Sequence, residues 1–158
     1  DQTVQEIGAT TYDLVADQMI YFSGDESTNT ISEADGTYLG NYLANGGRIM
    51  VSGQYLFGDI SGSAFAGLLG AQKVDETTEV LVVGEAGDPV GDGLMFDIAS
   101  GAGNQVMPEA LGGALTSFRY GNGMIAGVRN ETTAYKAISL GFGIEAMAPT
   151  SRRSATRM

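Results

Sequence analysis

The sequence of 158 residues has no histidine, no cysteine and no tryptophan, and it has only three prolines. The lack of cysteine excludes disulfide bonds and thiolate metal sites, and it leaves the redox compartment undetermined. The lack of histidine removes the base that usually accepts the proton of a serine nucleophile. No apolar run approaches the roughly 20 residues of a transmembrane helix, so we expect no membrane span.

The charge of the chain is uneven along its length. The net charge is -11, with 15 acidic and two basic side chains in residues 1–92 and four acidic and six basic ones in residues 93–158. Because the acidic part repels phosphate groups, we expect no nucleic-acid partner. The apolar fraction of 43% argues against disorder, and the length predicts one domain over residues 1–158.

Strand and helix signals alternate in the first half of the chain. Gln18–Ser23 is a short apolar run typical of a buried parallel strand. Two capping-box-like starts, at 30–33 and at 32–35, predict a helix that ends before Asn45. Arg48–Ser52 is a second strand, and Ser63–Leu69 is a short helix. This alternation predicts an α/β fold, with helices on both faces of a mostly parallel sheet.

The second half of the chain favours hairpins. The strand-like runs Leu115–Tyr120, Met124–Val128 and Tyr135–Leu140 lie too close together for helices between them, and Gly121-Asn122-Gly123 is a strong turn signal. We therefore expect a β-hairpin extension near the carboxyl end of a three-layer sheet.

Two loops that follow predicted strands carry candidate functional residues. Ser52, Gly53, Gln54 and Tyr55 form an elbow after the second strand, a place where enzymes position a nucleophile. Asp25-Glu26 follows the carboxyl end of the first strand, where ligands bind in open α/β sheets.

Four sequence blocks together resemble the class I glutamine amidotransferase-like superfamily. The similarity is carried by Tyr21–Asp25, Tyr42–Arg48, Val51–Gln54 and Gly141–Ala146, in that order, and extends over about Tyr12–Met158. The match is closest to the degenerate, non-catalytic branch found as modules in large secreted bacterial proteins. This resemblance implies a flavodoxin-like fold and an extracellular or cell-surface location.

The resemblance also implies that the catalytic groups are missing. Ser52 stands where active members have cysteine, Gly143 stands where they have histidine, and only Glu145 matches their pattern. We therefore expect that the chain has no amidotransferase activity and is not an enzyme. Because such modules usually have an additional strand and helix at the start and a complete helix at the end, the resemblance implies truncation at both ends.

Acidic residues leave other interpretations open. Two of the three carboxylates of Asp25, Glu26 and Glu145 could form a pair for sugar binding or glycoside hydrolysis, although a solvated loop is the simpler interpretation. Asp25 and Glu26, with Ser27 and Asn29, could offer oxygen ligands to Ca²⁺, but their spacing does not fit an EF-hand loop. The sequence predicts no other cofactor.

Three function classes remain open. The preferred one is a non-catalytic interaction or structural module of an exported protein, whose partners are neighbouring domains of a longer chain. The alternatives are a self-assembling surface or filament subunit, whose partners are identical subunits, and a carboxylate-dependent sugar-binding or hydrolase domain. The candidate binding residues are Asp25, Glu26, Ser52, Gly53, Gln54, Tyr55 and Glu145.

Overall fold

The computed structural model describes residues 18–24, 27–99 and 105–147. The elements in these ranges are, in chain order, β1 (Met19–Phe22), α1 (Glu33–Ala44), β2 (Arg48–Ser52), α2 (Leu56–Asp59), α3 (Ala64–Leu69), β3 (Ala71–Thr77), β4 (Leu81–Gly84), β5 (Met95–Asp97), β6 (Gln105–Ala110), β7 (Leu115–Tyr120), β8 (Ile125–Glu131), β9 (Lys136–Leu140) and a 3₁₀-helix (Ile144–Ala146).

Seven of the strands form one mixed sheet that curls as a half-barrel. Its strand order is β1-β2-β9-β8-β7-β4-β5, and β3 and β6 form a separate antiparallel ribbon. Strand β2 pairs in parallel with both β1 and β9. Every other pairing within the seven strands is antiparallel.

The prediction of a three-layer, flavodoxin-like, mostly parallel sheet is therefore wrong, and so is the amidotransferase-like architecture implied with it. The physical reason lies in the connections, since β7, β8 and β9 follow one another through turns too short for a crossover helix. The predicted hairpins are present, but they are part of the seven-stranded sheet and not an extension of it. Strand β9 returns to the middle of the sheet and pairs with β2.

Local signals explain why the first half was predicted more closely. Strand β2 has the predicted bounds. Helix α1 begins at a true capping box, in which the Ser32 hydroxyl accepts a hydrogen bond from the Asp35 amide and the Asp35 carboxylate accepts one from the Ser32 amide, both at 3.2 Å. The helix ends before Gly46, which has a positive φ of 94°.

Alternate residues of β2 belong to two different hydrophobic cores. Ile49 and Val51 pack with Leu39 and Leu43 of α1 in the first core, which also holds apolar residues of α2 and α3. Met50 packs against the second core. Successive side chains of a strand point to opposite faces, so the parallel part of the sheet lies between these two cores.

The second core is built around one aromatic residue in the loop after β9. The Phe142 ring lies 5.6 Å from that of Phe96, 6.4 Å from Phe118 and 6.5 Å from Tyr120, all in edge-to-face geometry. Such pairs add stabilisation beyond the burial of their area. The Tyr120 hydroxyl donates to the Val106 carbonyl at 2.8 Å, and burial raises the pKa of Tyr120.

Strand β1 is the outermost strand of the sheet formed by the described residues, and it carries exposed apolar side chains. Ile20 is 61% exposed and Phe22 is 55% exposed, whereas Met19 and Tyr21, on the other face, pack against the first core. Among the described residues, no helix combines the length and apolar character needed to cross a bilayer.

A buried ion pair fixes the loop between β4 and β5. The Arg129 Nε atom donates to Asp88 Oδ2 at 2.5 Å, and the side chains are 15% and 4% exposed. Burial raises the pKa of Asp88, but hydrogen bonds from Arg129 and from the Val90 and Gly91 amides outweigh it and hold the pKa below its usual range. The stabilisation is therefore complete above the unfolded-state pKa and is lost as the pH falls through the folded-state pKa.

Removal of the Arg129 charge should destabilise the fold far more than removal of an exposed cation. Arg129→Gln leaves Asp88 buried without a counter-charge, so we expect a loss of about 3 kcal/mol in the free energy of unfolding at neutral pH, measured by urea denaturation. The matched control is Arg119→Gln, because Arg119 pairs with Glu85 at 42% and 37% exposure. That control should cost less than about 1 kcal/mol. Equal losses would contradict the role of the buried pair.

Candidate functional site

The candidate site lies where the three parallel strands end. Ser23 follows β1, Ser52 is the last residue of β2, and Gly141-Phe142-Gly143 follows β9. Since parallel strands share one direction, their carboxyl ends meet at one edge of the sheet, which is the usual place for a ligand in an open α/β sheet. Three of the four sequence blocks of the family resemblance are therefore brought together here.

Ser52 joins two of these strand ends through its side chain. Its hydroxyl donates a hydrogen bond to the Phe142 carbonyl at 2.8 Å and accepts one from the Ile144 amide at 2.9 Å. The residue has no exposed surface. Both functions of the hydroxyl are thus committed to the main chain of the loop after β9.

This arrangement differs from that of an activated serine. A nucleophilic serine gives its proton to a base such as histidine or lysine and presents its oxygen to the substrate. The Ser52 hydroxyl instead donates its hydrogen bond to a main-chain carbonyl, which cannot act as a general base. The Ser52 side-chain oxygen is also buried. The geometry is that of a structural clamp.

Gly53 is required by the close approach of β1. The Ser23 amide donates to the Ser52 carbonyl at 3.1 Å, which continues the pairing of β1 with β2 beyond the last strand residue. A Cβ atom at position 53 would overlap the Ser23 Oγ atom. The glycine that the sequence suggested as part of a binding elbow thus leaves room for the Ser23 side chain.

The remaining elbow residues are more buried than a ligand-presenting loop requires. Gln54 is 3% exposed, and Phe57, which follows the elbow, is 0% exposed in the first core. Tyr55 is half-buried at the start of α2. Of these three side chains, Tyr55 alone presents part of its surface to solvent.

Glu145 lies beside the elbow, as its position in the fourth sequence block suggested. It is exposed and belongs to the 3₁₀-helix whose first amide is bound by Ser52. Its carboxylate folds back over Gly143, so a Cβ atom at that position would overlap Glu145 Oε1. A histidine at position 143 would therefore have to displace the Glu145 side chain.

The other predicted acidic ligands cannot be compared with this geometry. Asp25 and Glu26 lie outside the described residues, so the carboxylate pair and the Ca²⁺ site that include them stay predictions. Within the described ranges, no group of three or more Asp, Glu, His or Cys side chains is arranged to hold a metal ion.

Sequence interpretation missed the residue that Ser52 binds. Phe142 contributes a main-chain carbonyl, and a main-chain acceptor leaves no signature in residue type. An aromatic residue such as Phe142 favours a buried position, and its ring does lie at the centre of the second core. Phe142 thus anchors the loop through its ring, and its carbonyl accepts the hydrogen bond from the Ser52 hydroxyl.

Comparisons with known proteins identify the fold only. No protein-family model matches the chain, and no curated protein sequence does either. Among solved structures, the exo-β-1,4-mannosidase of Opitutaceae bacterium strain TAV5 has a TM-score of 0.58 and 17% identity, over 89% of this chain and 22% of the enzyme. The β-galactosidase of the haloarchaeon Halorubrum lacusprofundi has a TM-score of 0.62 and 13% identity, over 96% and 23%.

A smaller protein has a similar fold. A cytoplasmic protein of Salmonella typhimurium LT2 has a TM-score of 0.58 and 16% identity, over 89% of this chain and 65% of its own length. This chain spans about a fifth of the length of the two glycosidases. Since none of these three matches concerns a glutamine amidotransferase, that family resemblance stays a prediction.

Replacement of Ser52 tests whether its hydroxyl is a clamp. Ser52→Ala leaves the buried Phe142 carbonyl and the Ile144 amide without their Ser52 partner, so we expect a loss of about 1–3 kcal/mol in the free energy of unfolding. The matched control is Ser139→Ala, because the Ser139 hydroxyl is equally buried and has no hydrogen-bond partner among the described residues.

Chemical denaturation of both variants at neutral pH measures the difference. The Ser139→Ala change should be neutral or stabilising, since it removes a buried polar group that makes no bond. A Ser52→Ala variant as stable as the wild type would overturn the clamp.

Proposed function

We propose that this chain is a non-catalytic accessory domain of a larger carbohydrate-hydrolysing protein. The observation that carries the proposal is the closed state of the elbow, where Ser52 is buried and both its hydrogen-bonding functions are used by main-chain atoms. An elbow in this state holds strand ends together and has no free nucleophile. Its proposed role is to position or support the catalytic part of the parent protein.

The comparisons support the carbohydrate part of this proposal. Two matching glycosidases contain a region of this fold that accounts for about a fifth of their length. A domain of that size within a much longer enzyme suits an accessory role better than an independent one. Their activities belong to those proteins, and for this chain hydrolysis by a parent protein is our hypothesis.

The edge strand β1 supports attachment to further protein. Ile20 and Phe22 expose most of their apolar surface on this strand. Exposed apolar groups on a sheet edge are commonly covered by other protein, because they otherwise favour aggregation. Neighbouring domains of a longer chain are the partners that fit an accessory domain, and export of the parent protein remains part of the proposal.

The mass of the native protein tests this proposal. We expect mass spectrometry of the protein isolated from its source to give a value far above 16.4 kDa, the mass of this chain. The larger protein should release nitrophenol from an aryl β-galactoside or β-mannoside, whereas the 158-residue chain should release none. Recovery of the protein from the culture medium would support export.

Two other results would overturn the proposal. A native mass of 16.4 kDa with concentration-dependent oligomers would favour the self-assembling subunit. Hydrolysis by the isolated chain that is lost in Glu145→Gln, with folding intact, would favour the carboxylate-dependent hydrolase.

A further inference from the structure

The chain contains two Asn-Gly pairs, Asn45-Gly46 and Asn122-Gly123, and both lie in exposed turns outside the elbow. Asn-Gly is the sequence in which asparagine loses its side-chain amide most readily, because glycine has no Cβ atom to shield its main-chain nitrogen from the neighbouring side chain. The sequence alone gives both pairs the same reactivity. Their surroundings in the folded chain differ.

Deamidation needs no enzyme, and its only co-reactant is water. The main-chain nitrogen of the glycine attacks the asparagine Cγ atom and forms a bond to it, and the Cγ–Nδ2 bond breaks. The Nδ2 group leaves as ammonia with the proton of the glycine amide. Water then opens the five-membered succinimide ring at either carbonyl, which gives aspartate or isoaspartate. A folded chain permits this reaction only where the glycine N–H can leave its hydrogen bond and the asparagine main chain can rotate.

The second pair lies at the tip of the hairpin that connects β7 and β8. The Gly123 amide donates to the Tyr120 carbonyl, and the Tyr120 amide donates to the Met124 carbonyl, both at 2.8 Å. Gly123 has a positive φ of 86°. This is a three-residue hairpin loop in which a turn is followed by a left-handed glycine. All four residues from Gly121 to Met124 are exposed.

Opening of this tip disturbs little of the structure. A Cβ atom at Gly123 would meet no atom within 4 Å. Apart from the Gly123 amide bond, the turn is held by a contact of Asn122 Nδ2 with the Thr77 hydroxyl at 3.4 Å and by an exposed bond from Arg119 to the Gly123 carbonyl at 3.1 Å. Segments with exposed hydrogen bonds and few apolar contacts open locally at a small free-energy cost. The Gly123 nitrogen is therefore released easily.

The side chain of Asn122 is also held in a reactive state. Its Oδ1 atom accepts a hydrogen bond from the Met124 amide at 3.0 Å, which folds the side chain over the turn. A donor on Oδ1 withdraws electron density from Cγ and stabilises the negative charge that forms on this oxygen during the attack. Asn122 thus has an electrophilic Cγ atom beside a main-chain amide that opens easily.

The first pair lies at the end of α1 and is held more firmly. The amides of Asn45, Gly46 and Gly47 donate to carbonyls of the last helical turn at 3.1 Å, 2.9 Å and 3.0 Å. The Asn45 side chain donates through Nδ2 to the Asn41 carbonyl at 2.9 Å, which draws it back toward the helix. Rotation of the Asn45 main chain would break the Gly46 and Gly47 bonds together.

The residues after this first pair are fixed to the sheet. Gly47 is buried, and a Cβ atom at that position would overlap the Tyr42 ring. The Gly47 carbonyl accepts from the Lys136 amide at 3.3 Å, and the Tyr42 hydroxyl bonds to the main chain of Arg48, the first residue of β2. A rotation at Asn45 would therefore displace the start of β2, whose side chains pack in the first core.

We propose that Asn122-Gly123 is a deamidation site of the native protein and that the fold protects Asn45-Gly46. Reaction at Asn122 adds one negative charge to the net charge of -11 and places it at the tip of the hairpin. The isoaspartate product also lengthens the main chain between β7 and β8 by one carbon atom. The inference concerns the chemistry of this chain alone and does not depend on the accessory role.

Peptide mapping by mass spectrometry of the 158-residue chain tests this inference. The chain is incubated at neutral pH and physiological temperature, in native buffer and in concentrated urea, and the mass gain from replacement of NH₂ by OH is followed at each pair. In urea the two pairs should react at similar rates. In native buffer Asn122 should react at least about tenfold faster than Asn45, because the two sites differ in the cost of local opening.

Two serine variants form a matched pair for this experiment. Asn122→Ser removes the reactive amide from an exposed position, so it should abolish most of the deamidation of the native chain. Asn45→Ser, also at an exposed position, should leave the rate at Asn122 unchanged. Circular dichroism of both variants checks that the fold is kept.

Three results would overturn the inference. These are a native rate ratio no larger than the ratio in urea, faster reaction at Asn45 than at Asn122 in native buffer, and no product at Asn122 in a native sample whose urea counterpart has reacted. None of them affects the accessory-domain proposal, because that proposal is tested by native mass and by the location of hydrolytic activity.

Discussion

The Ser52 hydroxyl is the constraint on which the parallel part of the structure depends. It connects the end of β2 to the loop after β9 by one donated and one accepted hydrogen bond, and Ser52 itself has no exposed surface. The same loop inserts Phe142 into the aromatic core, so a polar and an apolar interaction fix one segment from two sides. A buried polar group whose partners are all present stabilises a single arrangement, because any other arrangement leaves those partners unsatisfied.

The parallel pairing of β2 explains why three strand ends meet at one edge of a mixed sheet. Strand β9 enters the sheet from an antiparallel hairpin with β8, yet it pairs in parallel with β2. The carboxyl ends of β1, β2 and β9 therefore meet, and Ser52 accepts hydrogen bonds from the Ser23 amide through its carbonyl and from the Ile144 amide through its hydroxyl. The elbow is closed as a result.

Local signals in the sequence were sufficient to predict β1, α1, β2 and α3 of the first half. The capping box and the apolar run of β2 are short-range features. The second of the two predicted capping boxes formed, at Ser32, and β2 has the predicted bounds. The sheet was predicted wrongly, because the pairing of β9 with β2 joins residues almost 90 positions apart and depends on long-range packing. The ribbon strands β3 and β6 gave little signal, since β3 has several charged residues and β6 contains Pro108. The burial of Ser52 could not be inferred either, because both its partners are main-chain atoms.

The central claim is that the elbow is a clamp without a nucleophile. Its most direct test is incubation of the folded chain with a fluorophosphonate, which labels activated serines, followed by mass spectrometry of the peptide that contains Ser52. The clamp predicts no adduct at Ser52 in the native protein. A stoichiometric adduct at Ser52, formed under native conditions, would contradict the claim and show that the hydroxyl is both accessible and activated.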